Sequence, residues 1–297
     1  MKLFVNVEVF KKSLLKVKQI MLGGEELELS FVNKLRKLTD ARIINGYGPT
    51  ETTIGVTFKD VTKSNKVTIG KPISNTKCYI LDKYSNLVPI GIQGELCISG
   101  ECLARGYLNN NELTNSAFVL NPFNENERLY KTGDMARWFP EGEIEFLGRK
   151  DKQVKLRGYR IELEEIENAI LKYKGIKDVA VVLKKNSDYG DLLCAYCVSN
   201  DTIIIKDLKS LLARQLPRYM VPRIIMEVES IPINSNGKRD TSRLPDIDYS
   251  SLASDSIIKP STKMEKKLLD MFHKLVKGSR ISIDDNIFEY GADSLTV

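Results

Sequence analysis

The chain has 297 residues, 42% of them hydrophobic and 28% charged, with a formal net charge of +6. This is the composition of an ordinary folded, soluble chain, its length predicts about two domains, and its interleaved lysines and carboxylates exclude a nucleic-acid-binding stripe. No apolar run approaches the ~20 residues that cross a bilayer, and the N-terminus, MKLFVNVEVFKKSLLKVKQIML, has no signal-peptide core, so the expected compartment is the cytoplasm.

The first predicted helix runs from Ser30 to Leu38, with Phe31, Leu35 and Leu38 on one face. A strand-like run, Ala41-Arg42-Ile43-Ile44, then leads into NGYGPTETT at 45–53. This stretch predicts a rigid, open turn that presents Tyr47, Thr50 and Glu51. Gly46 and Gly48 permit close backbone approach and Pro49 fixes the turn. A single glutamate beside threonines is a poor acid–base pair. It suits Mg²⁺, which takes one or two carboxylates and leaves other positions for phosphate oxygens. Tyr47 can offer a flat face to a base. On this stretch alone, a surface turn with an incidental glutamate stands equally open.

Short strands follow at Cys78–Leu81, Gly94–Gly100 and Glu143–Leu147, separated by turn clusters such as 82–86. YKTGD at 130–134 places Asp134 after a glycine turn, where a carboxylate can accept two hydrogen bonds from a ribose diol. The short, polar segment from Gly148 to Gln153 reads as a hinge, and the texture changes beyond it.

Ile161, Leu163, Ile166, Ala169 and Ile170 have helical spacing, with acidic residues early, Lys172 and Lys174 late, and Gly175 as the stop. Strands at Asp178–Leu183, Leu192–Val198 and Ile224–Val228 and a helix over Lys206–Leu216 complete a compact α+β unit. Cys194 and Cys197 fall on one strand, where positions three apart face opposite ways. They therefore read as two buried small side chains rather than a redox or zinc pair. Five cysteines at irregular spacing make no disulfide framework. Lys238 follows an Asn-Gly turn, either as a solvated tip or as a movable cation for a phosphoryl transition state. The segment 244–262 reads as a linker, and an amphipathic helix begins near Thr262. The single histidine, His273, reads as a surface residue of that helix. It leaves no second candidate base for a nucleophilic triad and excludes a multi-histidine metal site.

Six stretches, in order, resemble the motifs of the adenylating domains of nonribosomal peptide synthetases, in the wider family of acyl-CoA ligases and luciferases. They are NGYGPTE (45–51), GELCISG (94–100), YKTGD (130–134), GRKDKQVKLRGYRIELEEIE (148–167), LPRYMVP (216–222) and NGKRD (236–240). DNIFEYGADSL (285–295) resembles the attachment segment of the carrier domain that follows, with Ala292 where the family usually has a second glycine. The resemblance implies an α/β and α+β multidomain fold. Residues 1–150 would be the C-terminal part of the large subdomain, 151–243 a mobile α+β lid, 244–262 a linker and 263–297 the first part of a helical carrier domain.

It also implies roles. Glu51 is the Mg²⁺ ligand, with Thr50 near the phosphate. Tyr47 stacks on adenine, Phe146 is a second aromatic there, Asp134 binds the ribose and Arg149 lies beside it. Asp151 is the hinge, turning Lys238 out and the Arg157–Gly158 loop in. Lys238 bridges the substrate carboxylate and the α-phosphate. Met21, Gly23, Gly46, Ile54 and Gly55 line the amino-acid pocket, where the small glycines leave room for a sizeable side chain. Ser294 carries phosphopantetheine, a role compatible with its other reading as a helix N-cap.

The implied reaction is amino-acid activation by ATP and transfer to a carrier-bound thiol. The cofactors are ATP, Mg²⁺ and 4′-phosphopantetheine. The partners are an amino acid, a phosphopantetheinyl transferase and neighbouring synthetase modules or a condensation domain, with no nucleic acid and no membrane. The family's glycine-rich phosphate loop is expected to precede residue 1, so residues 1–297 alone are expected not to adenylate at a useful rate. Two other readings compete: an acyl- or aryl-acid-activating ligase, against which G-A-D-S-L argues, and a non-catalytic carrier or docking remnant.

Overall fold

The computed structural model describes residues 8–156, 158–185, 191–200, 202–234, 239–247, 258–275 and 282–283. It divides into two compact units between Asp151 and Lys152.

The first unit opens with α1 (Glu8–Leu14), β1 (Gln19–Leu22), α2 (Leu29–Arg36) and β2 (Arg42–Tyr47). β1 and β2 pair in parallel, Ile20 opposite Ile43, which requires a crossover, and α2 supplies it. Val32 and Leu35 of α2 are fully buried and pack on Leu14, Ile20, Ala41, Ile43 and Val61, with Phe31 and Leu38 at the margin. β3 (Thr57–Asp60) and β4 (Lys71–Pro72) extend this sheet on its antiparallel side.

β2 does not stop at Ile44, as the sequence predicted. It runs through Asn45 and Gly46 to Tyr47, with Gly46 opposite Phe58 and Tyr47 opposite Thr57. The buried Asn45 amide donates to the Thr68 carbonyl at 2.8 Å. A Cβ on Gly46 would lie 2.7 Å from the Phe58 ring, so the aromatic side chain covers the glycine and keeps the ladder going.

The second sheet comprises β5 (Thr76–Leu81), β6 (Gly94–Gly100), β7 (Phe118–Asn121), β8 (Asn124–Trp138) and β9 (Ile144–Arg149), with α3 (Asn111–Ala117) preceding β7. Its order is β5-β6-β8-β7, and β9 pairs with β8. The hairpin of β7 and β8 was not visible in the sequence, because its turn lies inside the polar run Asn121–Glu127. The YKTGD stretch is likewise no turn. It lies within the 15-residue β8, where the register against β6 shifts between Glu95 and Cys97. Gly133, at φ +72°, sits in that bulge. The two sheets share a core of Tyr47, Val56 and Ile69 with Ile80, Leu96, Ile98, Ala136 and Ile144.

The second unit starts with the short hairpin of β10 (Val154–Leu156) and β11 (Tyr159–Ile161), then α4 (Leu163–Ile170), β12 (Ile176–Lys184), β13 (Leu192–Ser199), α5 (Ile205–Gln215) and β14 (Ile224–Glu227). β13 lies between β12, antiparallel, and β14, parallel. Side chains alternate across this sheet. Val179, Val181, Leu193, Ala195 and Cys197 pack with α4 and α5, whereas Ala180, Leu192, Cys194 and Tyr196 pack on the other face. Cys194 and Cys197 are thus buried on opposite sides, as the strand period demands. Burial pushes both thiols up to about 12. At pH 8 such a thiol is about one part in ten thousand thiolate. Both cysteines are therefore expected to resist a thiol-reactive disulfide reagent until denaturant is added, which a colorimetric titration checks.

Gly175 is not the stop of α4. The helix ends at Ile170 and Gly175, at φ +95°, turns the chain directly into β12. The expected linker from Leu244 begins as part of this unit: Leu244 and Ile247 are buried on the Cys194 face, and the Tyr196 hydroxyl donates to the Pro245 carbonyl at 2.8 Å. α6 (Lys263–Leu275) follows, with His273 exposed on it. Among the described residues no helix is long and apolar enough to cross a membrane. Arg157, Lys238 and Ser294 lie outside the described residues.

Candidate functional site

Parallel strands β1 and β2 both end at one edge of the first unit, Leu22 running into Gly23 and Tyr47 into Gly48. In open α/β sheets that edge is where ligands are held. Beyond Tyr47 the chain turns at Pro49 into a single 3-10 turn, Thr50–Thr52. Thr53 and Ile54 then take φ of +60° and +74°, a conformation that side chains other than glycine's adopt at a cost of about 1–3 kcal/mol each. A neighbouring loop holds this turn in shape. The Ala104 N–H donates to the Glu51 carbonyl and the Thr53 hydroxyl to the Cys102 carbonyl, each at 2.8 Å.

Glu51 is only 7% exposed, and its Oε1 accepts a 2.7 Å hydrogen bond from the Tyr107 hydroxyl. Thr50 beside it is exposed.

Asp134 is 4% exposed. The Tyr47 hydroxyl donates to its Oδ2, and Arg149 Nη1 donates to its Oδ1 at 2.7 Å. Asp134 and Arg149 are opposite each other in the β8–β9 ladder, so the pairing is a consequence of register. The other edge of the guanidinium grips Asp151, Nε to Oδ1 at 2.7 Å and Nη2 to Oδ2 at 2.6 Å. Burial first, and then the neighbouring Asp134 carboxylate, push the Tyr47 phenol well above its ordinary value, so it remains a donor at any physiological pH. Phe146 lies on the other side of Tyr47, ring centroids 6.3 Å apart and tilted 38°.

The open tyrosine face expected at the turn is absent here: Tyr47 is 8% exposed, because it ends a strand instead of projecting from a loop. Tyr47 nonetheless links the two segments that carry Asp134 and Glu51. Tyr47 reaches Asp134 with its hydroxyl and Glu51 through one turn of backbone.

Gly133 makes this arrangement possible. A Cβ there would lie 2.6 Å from Arg149 Nη2 and 3.1 Å from Asp151 Oδ2, and its φ of +72° disfavours any side chain. Gly133→Ala is expected to displace the guanidinium and to destabilise the first unit by about 1–3 kcal/mol, measured as a shift of the urea midpoint.

The residues expected to line an amino-acid pocket fall into two groups. Met21 and Ile54 are 60% and 81% exposed. Met21 shares a cleft with Gln19, Arg42, Ile44, Phe58 and Asp60 on one face of the first sheet. The three glycines do not leave open room. Cβ atoms on Gly46 and Gly55 would meet the Phe58 ring at 2.7 and 2.8 Å, and one on Gly23 would meet the Gly46 carbonyl at 2.6 Å. At Gly46 and Gly55 the space is taken by the chain's own Phe58, which the sequence reading did not single out.

In the second unit, Arg239 directly follows Lys238 and bridges Ile233 in an antiparallel pair. Its guanidinium donates to the Val179 carbonyl at 2.8 Å, to Asp178 Oδ1 at 2.5 Å and to Glu167 Oε2 at 3.4 Å. The other Glu167 oxygen accepts from the Val181 N–H at 2.9 Å. Arg239 is therefore moored to α4 and β12. Arg239 and Tyr107 were missed in the sequence, where each is one charged or aromatic residue among many.

Among the described residues no group of three or more His, Cys, Asp or Glu side chains could hold a metal ion by itself. A single buried carboxylate at a strand edge, Glu51, fits Mg²⁺ that keeps its other positions for substrate phosphate. Asp134, held from two sides, fits the hydroxyls of a sugar.

Residues 1–108 match the family model for AMP-binding enzymes, and residues 165–238 match that for the AMP-binding enzyme C-terminal domain. The chain is 43% identical over 286 residues to gramicidin S synthase 2 of Aneurinibacillus migulanus, covering 96% of this chain and 6% of that protein. It is 42% identical over 287 residues to bacitracin synthase 3 of Bacillus licheniformis, covering 95% and 4%. Among solved structures it resembles PA1221, an NRPS protein containing adenylation and PCP domains, at 29% identity and TM-score 0.67 over 78% of this chain and 47% of that one. The holo form of PA1221 bound to a vinylsulfonamide inhibitor matches at 27% identity and TM-score 0.72, over 99% and 49%. The chain thus spans a few per cent of the length of these curated relatives and about half of these solved chains.

Proposed function

This chain belongs to the AMP-binding enzyme family, in its nonribosomal peptide synthetase branch, and on that premise we propose that it is part of an ATP-dependent ligase that activates an amino acid. An oxygen of the substrate carboxylate attacks the α-phosphorus of ATP. The new O–P bond forms as the bond to the bridging oxygen breaks, and pyrophosphate leaves with that electron pair. The nucleophile is already ionised, so no base is needed, in keeping with a chain whose single histidine is exposed on α6. Catalysis is then positioning and neutralisation of charge.

Mg²⁺, when bound, supplies that neutralisation at the phosphates. Glu51 is its protein ligand, with Thr50 beside it. Asp134 accepts the ribose hydroxyls. Because Arg149 and Tyr47 already hold that carboxylate, it needs no reorganisation when the nucleotide arrives. Phe146 and the edge of Tyr47 flank the base. Lys238 is the cation shared by the substrate carboxylate and the α-phosphate. Asp151, the last residue of the first unit, is the hinge about which the second unit turns between half-reactions. Met21 and Ile54 contact the amino-acid side chain, on a floor set by Gly23, Gly46, Gly55 and Phe58.

The adenylate gives its acyl group to the thiol of a 4′-phosphopantetheine carried on Ser294. A phosphopantetheinyl transferase installs that arm, and neighbouring modules or a condensation domain receive the product. The setting is cytoplasmic.

The observation that carries the reading is the convergence of Tyr47, Asp134 and Arg149 in one buried cluster, one turn of backbone from Glu51. ATP–pyrophosphate exchange across the amino acids, in a complete module built around this sequence, tests it. Exchange that depends on one or a few amino acids, and is lost in Asp134→Ala, is the expected result. Activation of an aryl or fatty acid with transfer to coenzyme A, and no amino-acid-dependent exchange, would favour the ligase alternative. No exchange with any acid would leave the carrier or docking remnant.

A further inference from the structure

We propose that Tyr107 is a positioning residue for the metal site: its hydroxyl holds Oε1 of Glu51 and thereby turns Oε2 toward the divalent cation. The inference rests on the assignment of Glu51 as the metal ligand.

The geometry is built from three sides. The Tyr107 hydroxyl donates to Glu51 Oε1 at 2.7 Å. Its ring is seated edge-on against Phe118 of β7, centroids 5.8 Å apart, and Phe118 in turn packs on Tyr130 of β8 at 4.9 Å. The backbone before and after Tyr107 is tied as well. Its N–H donates to the Thr114 hydroxyl at 2.9 Å, and that hydroxyl donates to the Asn110 carbonyl at 2.8 Å. Gly106, at φ +149°, lets the chain pass against Thr114, where a Cβ would lie 2.5 Å from its methyl. The loop that carries Tyr107 is also the one that clasps the backbone of Glu51 and the hydroxyl of Thr53. Burial first, and then the Glu51 carboxylate, raise the Tyr107 phenol, so it stays a donor throughout the working pH range.

A glutamate carboxylate on a tight turn has three rotatable bonds between it and the backbone. With both oxygens unrestrained it would meet a cation in several poses. Fixing one oxygen by a donor whose ring is packed against β7 leaves the other in a single pose, and partners of this kind commonly tune metal affinity by about tenfold to a hundredfold. Tyr107 and Glu51 are 56 residues apart, and nothing in their sequence spacing links them.

The test is Mn²⁺ binding in the presence of ATP, followed by electron paramagnetic resonance on a complete module built around this chain, with circular dichroism and thermal melting alongside. Tyr107→Phe keeps the ring and its packing and removes only the hydroxyl. Its half-saturating Mn²⁺ concentration is expected to rise about tenfold or more, with an unchanged fold. A Tyr107→Phe titration that superimposes on that of the unaltered module, with or without a loss of thermal stability, overturns the proposal. Glu51→Gln separates the two levels of the reading. If it abolishes Mn²⁺ binding while Tyr107→Phe has no effect, only the positioning role falls. If it binds Mn²⁺ as the unaltered module does, or if the unaltered module shows no saturable binding, the metal-ligand assignment falls and the positioning role with it.

Discussion

Arg149→Ala is expected to cost the first unit about 3–4 kcal/mol of folding stability, against less than about 1 kcal/mol for Asp151→Ala. Both substitutions remove contacts of the same guanidinium, so the difference isolates where it acts. The Arg149 and Asp134 side chains are 13% and 5% exposed and lie 2.7 Å apart. Removing the arginine strands the Asp134 charge in a site from which water is excluded, and an uncompensated buried carboxylate costs several kcal/mol. The Asp151 side chain is 48% exposed. Its bidentate contact is short, but water competes for both partners, and a pair of this kind contributes little. Urea unfolding followed by the fluorescence of Trp138, the single tryptophan, reports on the first unit because that residue closes the β8–β9 pairing opposite Ile144. Equal losses from the two substitutions would mean that the buried pair does not hold β8 to β9.

Lys238→Ala is expected to lower the rate of adenylate formation by about 10²- to 10³-fold, the scale of losing one preorganised donor to developing charge. Transfer from preformed adenylate to the carrier thiol should stay within about twofold of normal. The asymmetry follows from the chemistry. Only the first half-reaction passes through an expanded, highly charged phosphoryl group, and in the proposed mechanism Lys238 neutralises charge on both reactants there. Pyrophosphate exchange in a complete module measures the first step, and single-turnover loading of the carrier measures the second. Equal losses in both would assign Lys238 to general folding of the second unit. Arg239→Ala offers a comparison: it loosens the mooring on Glu167 and Asp178 but keeps the lysine. Its effect on the first step is expected to be smaller than that of Lys238→Ala.

Much of the architecture was legible. The strand at Gly94–Gly100 and the alternation that buries Cys194 and Cys197 on opposite faces both follow from short-range periodicity, and the structure bears them out. The errors at the glycines share one cause. The sequence reading took Gly46 and Gly133 as turns, because isolated glycine usually breaks a strand. In the fold Gly46 is covered by Phe58 and Gly133 is a bulge making way for Arg149. Each glycine serves a partner at least twelve residues away, so local statistics mislead. The glycines of the expected substrate pocket were misjudged for the same reason, since absence of a side chain was read as empty space.

The order of the motifs, and hence the family, resides in the amino-acid sequence itself, because those stretches are contiguous and chemically restrictive. Three things came only from the tertiary structure: that Tyr47 is buried and serves Asp134, that Arg149 divides its guanidinium between Asp134 and Asp151, and that Tyr107 reaches Glu51. Each of the three depends on strand register and on which loops are brought side by side. Register is set by the summed burial of whole sheets, a quantity that no short stretch of residues contains.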